Sequence, residues 1–191
     1  MTDTETETHN AAAYWEQLWQ AGRRYRGFNR PEREALLRQA GHGRGRPALD
    51  IGCGTGALTR CLSELAYRPT GIDCAPSAVA LARDAYPTLD FQVFDFTQDD
   101  PSGLPEPAYS LITCRLVYRW VPDKPAFLSR VRQLLAPGGI FWVATSVHRN
   151  RGGTPEPWAI TAPAEELLTS GWSRADVTQI DDSFSCFALR P

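Results

Sequence analysis

Lysine is nearly missing from this 191-residue chain: of its 20 Lys and Arg residues, all but Lys124 are arginine. Basic residues do not outnumber acidic ones either, and the formal net charge of -2 supplies no positive field to gather nucleic acid or an anionic membrane. No apolar run approaches the roughly 20 residues of a membrane span. The polar, acidic start from Met1 to Glu7 lacks the apolar stretch of a signal peptide, so a cytoplasmic protein is expected. The five cysteines (Cys53, Cys61, Cys74, Cys114 and Cys186) form no Cys-x-x-Cys pair and no zinc-finger spacing with histidine. Reduced core thiols and no metal centre follow. Repeats are absent, and the length suits one domain, large enough to bury about 70% of its unfolded surface.

Against these absences one stretch stands out. Ala48-Leu49-Asp50-Ile51 is a short apolar run carrying one acid, as in a buried strand, and Gly52, Gly54 and Gly56 follow at alternate positions. Leu58, Leu62 and Leu65 then share one helical face. Strand, glycine turn and helix together aim backbone N–H groups at a ligand over the turn. Gly52, Gly54 and Ala57 also satisfy the looser dinucleotide pattern, which keeps an NAD-linked oxidoreductase open. Asp50 favours a ligand carrying a cation over a pyrophosphate. Arg68 to Asp73 reads as a second strand ending in an acid whose carboxylate can accept two ribose hydroxyls, or can instead balance the following Pro76-started helix.

Elsewhere, residues 1 to 9 are a polar tail expected to be disordered. From 10 to 45 two helices are expected. In the first, capped by Asn10, Tyr14, Trp15, Leu18 and Trp19 make one aromatic stripe, either packed on the sheet edge or closing over a ligand as a lid. Leu89 to Phe96 alternates as a third strand, Ala108 to Cys114 as a fourth, and Val177 to Leu189 as a closing hairpin around Asp181-Asp182-Ser183. His148 leaves the carboxyl end of the fifth strand, where open α/β sheets place chemistry, and is the base candidate; the alternative is an exposed loop residue. His42 lies among glycines, as an exposed loop residue would.

Asp50-Ile51-Gly52-Cys53-Gly54-Thr55-Gly56 resembles the first motif of class I S-adenosylmethionine-dependent methyltransferases, and Leu134-Leu135-Ala136-Pro137-Gly138-Gly139 before an apolar strand resembles a second. Tyr14 to Gly22 is similar to the opening of thiopurine-type methyltransferases. The resemblance spans residues 46 to 190. It implies an α/β, Rossmann-like doubly wound sheet of seven strands, mostly parallel with an antiparallel last strand and flanked by helices. It implies S-adenosylmethionine across the carboxyl ends of the first, second and fourth strands, with S-adenosylhomocysteine as product. The matching positions are Asp50, Gly52, Cys53, Gly54 and Gly56 at the turn, Asp73 and Cys74 at the ribose, Asp95 and Phe96 at the adenine, and Cys114 at the methionine end. Tyr14, Trp19 and Arg23 would close the site, an arginine there pairing with the methionine carboxylate.

In the segment facing the acceptor, where relatives carry Asn, His or an acid, this chain has Arg115, Tyr118 and Arg119. Arg115 and Tyr118, with His148, are the candidate catalytic residues, and the arginines suggest an acceptor with a negative or carbonyl group. The expected activity is methyl transfer to a small molecule, at oxygen or nitrogen, by a monomer or homodimer. A silent S-adenosylmethionine-binding subunit is the remaining alternative.

Overall fold

The computed structural model describes residues 11–23, 25–148 and 158–191. The tail, the Asn10 cap and most of the loop after His148 lie outside the described residues. Helices α1 (Ala11–Gln20) and α2 (Arg30–Ala40) precede β1 (Pro47–Ile51), α3 (Ala57–Glu64), β2 (Arg68–Asp73), α4 (Pro76–Ala85) and β3 (Asp90–Val93). Then follow β4 (Tyr109–Arg115), α5 (Lys124–Leu134), β5 (Leu135–Ser146), α6 (Ala162–Thr169), β6 (Arg174–Gln179) and β7 (Phe184–Arg190).

These strands make one seven-stranded sheet in the order β3-β2-β1-β4-β5-β7-β6. β1 lies parallel to β2 and β4, whereas β7 runs antiparallel to both β5 and β6. The chain therefore works outward from β1 through β2 to β3, then restarts on the other side of β1 with β4. That reversal opens a crevice at the carboxyl ends of β1 and β4, which is where ligands of such sheets bind.

Alternate residues of the strands serve the two faces. Leu49, Ile51, Ile112, Phe141, Val143, Phe187 and Leu189 pack with Phe127, Leu128 and Val131 of α5. Their neighbours Ala48, Leu111, Trp142, Ala144, Cys186 and Ala188 pack with Ala35 and Leu36 of α2 and Leu58 and Leu62 of α3. Of the five cysteines, four are buried and all are free.

One expectation is corrected. The third strand stops at Val93, short of Phe96. Beyond it Asp95 Oδ1 accepts from the N–H and hydroxyl of Thr97, a local turn that competes with the ladder. α5 ends at Leu134, and the Pro137-Gly138-Gly139 stretch is an irregularity inside β5, between the pairings of Tyr109 with Leu135 and Leu111 with Ile140. A Cβ at Gly139 would stand 3.0 Å from the Tyr109 carbonyl and 2.8 Å from that of Ala136, so the two strands close only around glycine.

Candidate active site

The first of three layers in the crevice is the turn after β1. Gly52 and Cys53 donate backbone bonds to the Ile72 carbonyl at 2.8 and 2.9 Å, which fastens the turn to β2. Gly54 adopts φ +53°, and a Cβ there would meet the Trp19 ring at 3.3 Å. The backbone is thus bare at the point where α1 leans over it. Gly56 instead packs beside Phe91 and Tyr86, and it does not line the cavity, contrary to its place among the expected ligand contacts.

Two buried carboxylates form the second layer. Asp50 accepts from the Thr59 hydroxyl at 2.6 Å and the Thr113 hydroxyl at 2.8 Å. Burial pushes its carboxyl up to about 6, although the two hydroxyls oppose that shift. Asp73 receives the N–H of Gly54 on Oδ2 and the N–H of Ala75 on Oδ1, each at 3.0 Å. Burial raises its pKa as well, against those two backbone bonds. Each carboxylate oxygen has two lone-pair sites, so Asp73 keeps acceptor capacity beyond its turn contacts. Neither threonine was singled out in the sequence: Thr59 follows Asp50 by nine positions, but Thr113 is 63 away and only the β1–β4 pairing brings it close.

The third layer is an aromatic cover. Trp15 of α1 meets Tyr14, Tyr25 and Trp120 edge-on, with centroids 5.2, 5.9 and 5.3 Å apart, and Trp19 meets Tyr25 at 5.2 Å. Glu16, on the same helix, accepts from the Ser77 N–H and hydroxyl and so caps α4, whose own N-cap residue, Ala75, provides no side-chain bond. A cavity of about 880 Å³ lies among these layers. It is lined by Asp50, Gly52, Cys53, Gly54, Asp73, Cys74, Asp95, Phe96, Tyr14, Trp19 and Arg23 of the expected contacts, while Cys114 is buried in β4 and does not line it.

The expected catalytic residues separate. Arg115 lines the cavity, but its guanidinium is committed: it grips fully buried Glu32 with Nε and Nη2 at 2.5 and 3.2 Å and donates to the carbonyls of Arg26 and Gly27. Glu32 itself, held 3.5 Å from Arg26 Nε as well, was missed in the sequence. Tyr118 turns into the core within a single 3-10 turn (Tyr118–Trp120); its hydroxyl donates to the Ala164 carbonyl at 3.3 Å, and burial raises its pKa. His148 donates its backbone N–H to the Ile160 carbonyl at 2.8 Å, beside the bridge of Val147 with Ile160, and lies outside the cavity lining. The suggestion of an anion-binding arginine therefore fails at Arg115 for want of a free guanidinium.

The donor set fits S-adenosylmethionine. The bare turn leaves room for a ligand chain, Asp73 offers a carboxylate for two hydroxyls, and Asp50 offers a desolvated anion for a cation. Among the described residues, no group of three His, Cys, Asp or Glu is arranged to hold a metal, and no helix is long and apolar enough to cross a membrane.

Comparison with known proteins gives the same picture. A family model described as a methyltransferase domain matches residues 49–141. A malonyl-[acyl-carrier protein] O-methyltransferase of Serratia marcescens is 32% identical over 112 residues, 59% of this chain and 43% of that one. A ubiquinone biosynthesis O-methyltransferase of Paramagnetospirillum magneticum is 35% identical over 128 residues, 65% of this chain and 47% of that one. The chain thus spans about half the length of the curated relatives it matches. Among solved structures, a DhpI–SAM–HEP complex superposes with a TM-score of 0.71 over the whole of both chains at 22% identity, a likeness of fold.

Proposed function

We propose that this chain, which belongs to the class I S-adenosylmethionine-dependent methyltransferases, methylates an oxygen or nitrogen of a small-molecule acceptor. The observation that carries the reading is Asp73: its carboxylate is tied to the Gly54 and Ala75 N–H groups at 3.0 Å and borders the cavity at the carboxyl end of β2. The O-methyltransferase relatives support oxygen as the receiving atom.

Bound S-adenosylmethionine supplies a methyl group already activated on a sulfonium. The protein's share is accordingly alignment and removal of water. Asp73 would receive the ribose hydroxyls, Asp95 the adenine amine, and the Phe96 ring would supply a base face. Asp50 gives the cationic end an anionic neighbour whose position the Thr59 and Thr113 hydroxyls fix. Arg23 pairs with the carboxylate of the methionine portion, while Tyr14 and Trp19 roof the site. Residues 46 to 191 form the catalytic body in this reading; of the helices within 10 to 45, α1 is its cover and α2 packs into the core against the sheet. A cavity of about 880 Å³ suits a small acceptor beside that nucleoside. We place the protein in the cytoplasm as a monomer or homodimer.

The test is transfer of tritium from methyl-labelled S-adenosylmethionine into a pool of small organic acceptors. Labelled product that disappears in Asp73→Ala supports the reading. A folded protein that binds the nucleoside and labels nothing in the pool contradicts it and favours a silent binding subunit.

A further inference from the structure

Beyond the nucleoside contacts, the cavity lining includes a group of rings. Trp15, Tyr25, Phe28 and Trp120 all border it, and they come from three separate places: α1, the 25–28 loop and the 3-10 turn after β4. Trp15 joins two of them, edge-on to Tyr25 at 67° and to Trp120 at 82°. Tyr25 and Trp120 are still 42% and 44% exposed, and the Arg119 guanidinium lies 5.7 Å from the Trp120 ring centroid. Two such exposed rings at the rim of a cavity are unlike ordinary surface residues, because their neighbours hold them in fixed orientation.

Two of the charges bordering these rings are satisfied within the protein, and a third, Arg119, lies over the Trp120 ring. Arg115 is paired with Glu32 at 2.5 Å, and Arg26 reaches Asp181 at 3.3 Å and lies 4.1 Å over the Phe184 ring. An acceptor whose body carries a formal charge would lose water here without regaining an ionic partner from Arg115 or Arg26. A flat ring loses little water and gains stacked or edge-on contacts.

Resting on the methyl-transfer reading above, we propose that Trp15, Tyr25 and Trp120 form the acceptor subsite and select a planar aromatic molecule with no formal charge on its ring system. Trp120 is its specificity residue: it touches the acceptor and not the nucleoside.

Calorimetric titration with 2-naphthol and with decahydro-2-naphthol, its saturated counterpart, tests this with and without saturating S-adenosylhomocysteine. The aromatic probe is expected to bind about tenfold or more tightly than the saturated one. Trp120→Ala should weaken naphthol binding by a similar factor, Trp120→Phe should restore most of it, and neither should change the affinity for S-adenosylhomocysteine. Equal affinity for the two probes, or naphthol binding indifferent to Trp120→Ala, overturns the subsite. Heat from S-adenosylhomocysteine with none from naphthol overturns the subsite alone, whereas heat from naphthol with none from the nucleoside overturns the methyl-transfer reading.

Discussion

Glu16 of α1 holds the first turn of α4 through Ser77, accepting from its N–H at 2.9 Å and from its hydroxyl at 2.5 Å. One carboxylate thus caps a core helix and fastens the aromatic cover to it. The same two bonds lower the Glu16 pKa. A group with a lowered folded pKa contributes above its unfolded value and loses that contribution as pH falls. Glu16→Ala should therefore speed amide exchange across residues 11 to 20 at neutral pH and leave β1 and β4 protected. Acidification below the unfolded value of 4.5 should lower the protection factors of the same segment in the natural protein, exchange being referred to its intrinsic rate at each pH. Unchanged exchange in α1 would show that the aromatic contacts alone hold the cover.

Asp50 has the opposite sign. Its carboxyl rises from 3.8 to about 6 on folding, so within that window the native state holds a proton that the unfolded state has released. Stability of the ligand-free protein should therefore fall as pH rises through the window. Asp50→Asn should remove this part of the slope, measured as urea midpoints below and above it.

Arg115 is a brace more than a catalyst. Arg115→Ala leaves Glu32 fully buried with, among the described residues, the longer contact to Arg26, a loss of about 3 kcal/mol or more for a broken buried pair. The damage should appear in chemical denaturation, and the 25–28 loop should lose protection because its carbonyls at 26 and 27 lose their donor. A variant of natural stability with abolished turnover would return Arg115 to the chemistry.

Tyr118→Phe removes a hydroxyl whose bond is to the Ala164 carbonyl. The expected cost is about 0.5 to 1.5 kcal/mol of stability, with turnover per folded molecule unchanged. A large fall in kcat at unchanged stability would place the phenol at the reaction after all.

The sequence was most legible where local chemistry decides structure. The strand, glycine turn and helix at residues 48 to 65, the second strand ending in Asp73, and the closing hairpin all follow from short patterns. So did most of the expected residues that line the cavity, because they stand at strand ends that those patterns locate. What was illegible depends on long-range placement. Arg115 and Glu32 are 83 positions apart, and nothing near either names the other. Cys114 lies in a strand buried on both faces, so alternation cannot tell which side meets a ligand. Tyr118 follows that strand in an irregular turn, where ring direction is set by packing against Phe127 and Ala164 and not by spacing. The early stop of β3 at Val93 came from side chains competing with the ladder, a contest invisible to hydrophobic periodicity.

The seat of the nucleoside over Gly54 is the central claim, and calorimetry with S-adenosylhomocysteine measures it directly. One site is expected in the natural protein. None is expected in Gly54→Val, where a branched side chain would meet the Trp19 ring and strain a backbone at φ +53°. Absence of heat from the natural protein, folded and titrated beside NADH that does bind, would contradict the account and leave the glycine turn to a dinucleotide.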